Sequence, residues 1–388
     1  MAAENNYFIV EGKYNKARVF SQQREEKAIE QIKKICSNAA YKNSKIRIMP
    51  DYHPGLGSVI GFTATLKNRI IPNTVGVDIN CGMITAELGN ADINFKSLDK
   101  FIRSSIPHGF KHNKSISSKI PDQLRGEIIK ISKKMELDAD NQLKGIGSLG
   151  GGNHFIEVSE DSTGDKYIII HSGSRNFGLQ VCRYHQKRAY NYCKKKSKNA
   201  ENESLKEEYE LSKSNSFLEG DSAEEYYQDM KIAQKYADLN RKIMLIRILD
   251  FLQLEPAEVF QTRHNYINFK DGVIRKGAVS SHQGEKILIP LNMRDGSILA
   301  EGLGNKDWNY SAPHGAGRLM SRTQAKKEIS LKEFKKSMKD VYSTSVSKKT
   351  IDESPAAYKS AEEILLAVKE SIEVIDILKP LYNFKSSS

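Results

Sequence analysis

Cysteine is scarce in this 388-residue chain: Cys36, Cys81, Cys182 and Cys193 are too few and too scattered for a disulfide framework. No apolar run approaches the roughly 18–20 residues that span a bilayer, so no membrane association is expected. The opening stretch, MAAENNYFIVEGKYNKARVF, lacks the long apolar core of a secretory signal. There is no GxxxxGK[ST] loop, which argues against P-loop nucleotide chemistry. Internal repeats and low-complexity linkers are missing too. The expectation is a cytoplasmic protein whose thiols stay reduced, leaving Cys81 available for metal or for chemistry.

Charge is plentiful by contrast. Lysine and arginine exceed the acids by enough to give a formal charge of +12, a field that favours a polyanionic partner such as nucleic acid. The charge is blocky: KKKSK (194–198) and KKEISLKEFKKSMK (326–339) lie beside acidic stretches. A solvated basic surface is the ordinary alternative. Hydrophobic residues at 39% suffice for a sizeable core.

Short β-branched runs punctuated by glycine, namely KIRIMP, SVIGFTATL, RIIPNTVGVDI and GMITAEL, read as strands. YFIVEG and the later VFQTRHNYINF, VIRKGAV and KILIPLNM read likewise, and residues 91–145 read as mainly helical. A long charged stretch at about 180–252 has a helical pattern, and a helical tail is expected at 360–378. The expected architecture is α/β: a single interwoven mixed domain over 1–388, with a central cleft and a charged helical insertion.

The stretch NTVGVDINCGM (73–83) sets a carboxylate, Asp78, three residues before a thiol, Cys81, between glycines. A buried turn with an incidental cysteine is one reading and a metal site the other. Four histidines share a setting at strand ends beside glycine or polar turns: His154, His171, His264 and His314. Strand ends present side chains to a shared cleft. Imidazole, thiolate and carboxylate form the usual ligand set for a divalent transition metal. Because one thiolate can bridge two ions, Asp78, Cys81, His154, His171 and His264 could hold a pair able to clamp a phosphoryl group. GSLGGGN and HGAGR are loops whose N–H groups can approach phosphate closely. Arg175 in HSGSR and Arg318 in HGAGR each put a guanidinium fork next to a glycine turn of this kind. His108 and His112 are expected on an exposed charged loop, and His282 has no assigned role.

Taken in order, MPDYHPGLG, NTVGVDINCGM, GSLGGGNHFIEV, HSGSRNFG, RHNYIN, RKGA, SAPHGAGR and DESPAAYK resemble the motif series of the RtcB family of RNA ligases, from about residue 49 to Lys385. The resemblance implies an enzyme that joins an RNA 3′-phosphate or 2′,3′-cyclic phosphate end to a 5′-hydroxyl end, in RNA repair or tRNA splicing. It implies GTP and two manganese ions as cofactors and leaves any accessory protein unnamed. Asp78, Cys81 and His264 would bind one ion and Cys81, His154 and His171 the other. His314 would carry GMP as a covalent phosphoramidate. Nucleotide contacts would come from Asn153, His154, Phe155, Ile156, Glu157, His264, Asn265, Pro290, Leu291, Asn292, Met293, Ser297, His314, Gly315, Ala316, Gly317 and Lys385. Arg175 and Arg318 would face RNA phosphates.

The chain departs from the family pattern in two places and so reads as a divergent, bacterial-type paralogue. Asn80 stands where the family has glycine before the cysteine; if φ is positive there, Asn is the next most tolerated residue. Leu291, Asn292, Arg294 and Asp295 are bulkier or more charged than the family's small residues, which puts strict GTP preference in question. Softness alone would favour zinc at such a site, whereas the resemblance implies manganese. Two competing readings are a metal-dependent RNA cyclic-phosphate phosphoesterase that uses no nucleotide, and an RNA-binding protein that keeps only the fold.

Overall fold

The computed structural model describes residues 7–386, a mixed α/β fold in which two sheets and a set of helices border one cleft. A six-stranded sheet runs in the order Phe8–Glu11, Lys16–Val19, Ile46–His53, Ile60–Thr65, Val273–Lys276 and Asn265–Asn268, with one parallel pairing between its second and third strands. A seven-stranded antiparallel sheet runs Glu258–Arg263, Gly82–Glu87, Lys166–Ser172, Phe155–Glu160, Ile372–Lys385, Gly296–Gly302 and Lys286–Asn292. Its two edges approach each other, and the Leu288 amide donates to Thr262 Oγ1 at 3.1 Å, so the sheet nearly closes into a barrel.

Side chains alternate across these strands. One face, with Met83, Phe155, Tyr167, Ile169, Leu288, Leu299 and Leu378, fills the curled interior. The other face, with Ile84, Ala86, Ile156, Val158, Ile168 and Ile170, packs against helices through Leu98, Ile102, Met244 and Ile248. His171 is in register with Met83 and Phe155 and so caps the interior face at one end.

The stretch at 180–252 is helical as its pattern implied, comprising most of Arg175–Lys198, then Glu203–Tyr209 and Asp221–Leu252. At 32 residues the last of these is about 48 Å long. No helix among the described residues is long and apolar enough to cross a membrane.

Three local expectations are corrected. The helical tail at 360–378 is a seven-residue helix, Ala361–Ala367, followed by the 14-residue strand Ile372–Lys385. Its Ile, Val and Leu residues pair on both sides within the large sheet, and that pairing overrides the helical spacing. RIIPNTVGVDI is mostly not strand: after Arg69–Ile70 the chain turns through a 3₁₀ segment at Pro72–Thr74, where proline has no N–H for a ladder. VFQTRHNYINF and VIRKGAV each break in two, at His264 and Gly277. The His264 backbone bridges the breaks, its N–H donating to Cys81 O and its carbonyl accepting from Gly277 N.

Candidate metal centre and nucleotide cleft

Asp78 and Cys81 share a tight turn, closed by the Cys81 amide donating to Asp78 O at 3.2 Å. Asn80 within it has φ +57°, the left-handed region that its glycine-like position called for. Its side-chain amide donates to Gln234 O and Asp238 Oδ1, both on the long helix. That helix holds the turn again through Arg241, whose guanidinium is fully buried and donates to Asn80 O at 2.7 Å and Ser172 O at 2.8 Å. The neighbouring Asn240 accepts from the Gly147 and Ser148 amides and donates to Ser172 Oγ and Gly173 O. One helical turn therefore pins three loops of the site. A Cβ on Gly173 would fall 2.2 Å from Asp78 Oδ1, so only glycine lets that carboxylate sit where it does.

Around this turn the structure brings together all five residues proposed as ligands. His154 Nε2 lies 3.0 Å from Asp78 Oδ2 and 3.4 Å from Cys81 Sγ. His171 Nε2 lies 3.2 Å from Cys81 Sγ and 3.3 Å from His264 Nε2. The donors converge as two sets sharing the thiol, Asp78–Cys81–His154 and Cys81–His171–His264.

The ring tautomers follow from the hydrogen bonds. His154 Nδ1 donates to Leu149 O at 2.8 Å and His171 Nδ1 to Asn153 O at 3.2 Å, which turns both Nε2 lone pairs inward. Burial holds His171 and His264 well below the usual histidine pKa, so both are neutral. Burial and the Asp78 carboxylate together push the Cys81 thiol well up. The buried His264 Nδ1 has no partner among the described residues, and its Nε2 confronts another imidazole nitrogen. Inward lone pairs, a carboxylate and a thiol without a cation among them form a donor set that fits divalent metal. Cys36, Cys182 and Cys193 are free and buried away from this cluster.

His314 stands beside the cluster, its ring centroid 4.9 Å from that of His264. Its Nδ1 donates to Asp51 Oδ2 at 2.7 Å, and its backbone amide donates to the same oxygen at 3.2 Å. Asp51 is fully buried, and its other oxygen is unpartnered among the described residues. This arrangement leaves His314 Nε2 as the free nitrogen. Sequence reasoning assigned Asp51 no role, although MPDYHPG was among the quoted motifs; only the crossing of two distant segments brings it to His314.

The cleft next to His314 has a volume of about 290 Å³. Asn153, Phe155, Glu157, Asn265, Pro290, Leu291, Asn292, Met293, Ser297, Lys385 and the run Gly315–Gly317 all line it. Ile156 does not; strand alternation sends its side chain into the helix-side core. Ser297 Oγ and Asn383 Oδ1, both buried in the cleft wall, lack partners among the described residues, as a wall awaiting a polar ligand would. Burial pushes Glu157 up to about 7 against its bonds from Asn383 and Ser159 and the charge of Lys385. Glu353 was also overlooked within DESPAAYK. It is buried and pairs with Lys385 Nζ at 2.6 Å, with Tyr358 OH donating to it at 2.8 Å.

The divergent hairpin is less obstructive than its composition implied. Asn292 Oδ1 accepts from the amides of Arg294 and Asp295, closing the turn, and Arg294 and Asp295 pair with each other away from the cleft lining. Leu291 packs into a core cluster with Ile289 and Ile298.

Both arginines are occupied within the protein. Arg318 lines the cleft but donates to Met320 O, Tyr358 OH and Asp352 O. Arg175, at φ +54°, lies outside the lining and donates to Ser148 Oγ and Gly109 O. A Cβ on Gly150 would fall 1.8 Å from its NH1, so that glycine makes room for the guanidinium. His108 and His112 are half-buried rather than exposed, the first hydrogen-bonded to Ile106 O and the second to Asn141 Oδ1. His282 pairs with Asp271 at 2.9 Å.

A family model described as tRNA-splicing ligase RtcB matches residues 31–139 and 124–386. The RNA-splicing ligase RtcB of Escherichia coli K12 is 32% identical over 371 residues, covering 86% of this chain and 88% of that protein. An RNA-splicing ligase RtcB homolog 2 of Entamoeba dispar is 27% identical, covering 86% and 79%. The tRNA-splicing ligase RtcB of Aeropyrum pernix is 25% identical, covering 82% of each chain.

Proposed function

Because this chain belongs to the RtcB family of tRNA-splicing ligases, we propose that it is an RNA ligase acting on 3′-phosphate or 2′,3′-cyclic phosphate ends and 5′-hydroxyl ends, with GTP as co-substrate and manganese as cofactor. The observation that carries the chemistry is the Asp51–His314 pair next to the donor cluster. With its proton on Nδ1 committed to Asp51, His314 directs the Nε2 lone pair at the α-phosphorus of GTP. An N–P bond forms as the bond to pyrophosphate breaks. The buried Asp51 carboxylate stabilises the positive charge that develops on the ring. The guanylyl group then passes to the RNA 3′-phosphate oxygen, restoring the imidazole. Attack by the 5′-hydroxyl on the activated 3′-phosphate joins the strands and releases GMP. A cyclic end is first opened by hydrolysis.

Asp78, Cys81 and His264 would hold one manganese ion and Cys81, His154 and His171 the other, with the thiol shared between them. When bound, the two ions would neutralise phosphate charge at the reacting centre. Glu157, Asn383, Ser297 and Lys385 would hold the guanine and sugar, and Gly315–Gly317 the phosphate, where small residues permit close approach.

His314→Ala tests the reading on a radiolabelled RNA with defined ends. It abolishes joining in the ligase, whereas a nucleotide-independent phosphoesterase would retain its cyclic-phosphate opening and need no GTP. Normal joining by His314→Ala would overturn the assignment of the nucleophile.

A further inference from the structure

Phe110 is 93% exposed, more than any other large apolar side chain among the described residues. Its loop is nonetheless held firmly. Gly109 N donates to Gly150 O at 2.8 Å, and Leu149 N to Pro107 O at 2.8 Å. Arg175 NH2 donates to Gly109 O at 2.8 Å. Past the apex, Asn113 Nδ2 donates to Lys144 O and Ile146 O, and Arg247 donates to Asn113 Oδ1. The fold thus anchors both sides of the loop and leaves an aromatic ring in water at its tip.

The position and charge of the loop indicate what the ring meets. It pairs with the glycine segment at Gly150, and that segment continues to Asn153 in the cleft wall. Arg175 also ties the loop to the metal turn, since the adjacent Ser174 amide donates to Asp78 Oδ1 at 3.0 Å. Between Asp99 and Asp122 the chain has no carboxylate but carries Lys100, Arg103, Lys111, Lys114 and Lys119. None of Lys111, Lys114 and Lys119 is held in an ion pair among the described residues. An aromatic face among unpaired cations, on a loop tied to the glycine segment that runs into the cleft wall, has the make-up of a single-strand platform, where a base stacks and lysines follow the backbone. An apolar protein partner would not call for that charge.

We propose that Phe110 is a stacking platform for a base of the RNA strand entering the cleft, with Lys111 and Lys114 contacting its phosphates; this rests on the RNA-ligase reading. The ring suits single strands, because bases inside a duplex are already stacked on both faces.

The test uses the full chain and a single-stranded RNA bearing a 3′-phosphate, with 5-iodouridine placed at successive positions from that end and, in a second series, from a 5′-hydroxyl end. Photocrosslinking should mark Phe110 from a narrow window of positions. By fluorescence anisotropy, Phe110→Ala and Phe110→Leu should each raise the RNA Kd about 5- to 100-fold, while Phe110→Trp keeps wild-type affinity. Lys111→Ala should instead lower the salt dependence of binding by about one unit of slope. Guanylylation of His314 should be unchanged in all of them, which separates platform from chemistry. Wild-type RNA affinity in Phe110→Ala, or a Leu variant as good as Phe, overturns this inference alone. A wild-type chain that binds no RNA overturns the ligase reading and this inference with it.

Discussion

Replacing Asp51 by Asn keeps the size of the side chain and removes only charge and one acceptor. In the wild type, Asp51 Oδ2 accepts from both His314 Nδ1, at 2.7 Å, and the His314 amide, at 3.2 Å. An asparagine has two options. If its oxygen takes the Oδ2 position, its NH₂ occupies the place of Oδ1, which is buried and unpartnered, and an unsatisfied donor there costs about 1–3 kcal/mol. If it flips, the NH₂ meets the backbone N–H of His314 and forces the ring proton from Nδ1 to Nε2, which removes the nucleophilic lone pair. The first option keeps the tautomer but loses the charge that stabilises the guanylylated ring, about 1.5–3 kcal/mol for a hydrogen bond to a charged group. The unsatisfied donor lowers folding stability in ground and transition state alike, so the lost charge alone sets the rate: about 1.5–3 kcal/mol in the transition state, or roughly 10- to 150-fold in guanylylation. The assay is single-turnover formation of the protein–GMP adduct by intact mass, alongside manganese titration of the same variant. Metal affinity should stay within a few-fold of wild type, because Asp51 touches none of the five donors. A guanylylation rate within about threefold of wild type would refute the tautomer argument.

Three further outcomes follow from the same geometry. Arg241→Met leaves Asn80 O and Ser172 O facing an apolar side chain and should cost about 3–5 kcal/mol in urea unfolding while weakening manganese binding; unchanged metal affinity would mean that the long helix does not brace the turn. Gly173→Ala drives a methyl into the Asp78 carboxylate, so metal binding by calorimetry should fall by at least tenfold with far-ultraviolet circular dichroism retained. Glu157 holds its proton to about pH 7 when folded but only to about 4.5 when unfolded, so between those values the unfolded state is the one that has lost the proton. Wild-type stability is therefore at its full value below about pH 4.5 and is lost as pH rises through 7, by about 3 kcal/mol relative to Glu157→Gln. Parallel urea curves for the two proteins at pH 5 and pH 8 check this, and a pH-independent difference contradicts it.

Much of the site was legible because its residues fall in short motifs at strand ends. The strand before His171 and the long helical stretch could both be read from periodicity alone. What could not be read was what distant segments do to each other. Asp51 and His314 are 263 residues apart, and no local pattern connects them. Arg241 lies in a charged helix where an arginine reads as solvated, yet it is fully buried under the metal turn. Ile372–Lys385 reads as helix by apolar spacing until a strand on each side claims it. Arg294 and Asp295 appeared as obstacles because composition cannot show that a hairpin turn pairs them with each other.

His314, held by Asp51 beside the donor cluster, is proposed to accept GMP. Intact mass after incubation with GTP and Mn²⁺ decides this, with His314→Ala alongside. The wild type should gain a guanylyl group that is lost in acid, kept in base and absent from the variant. An adduct of equal extent on His314→Ala, or none on the wild type with any divalent metal or nucleoside triphosphate, would rule it out.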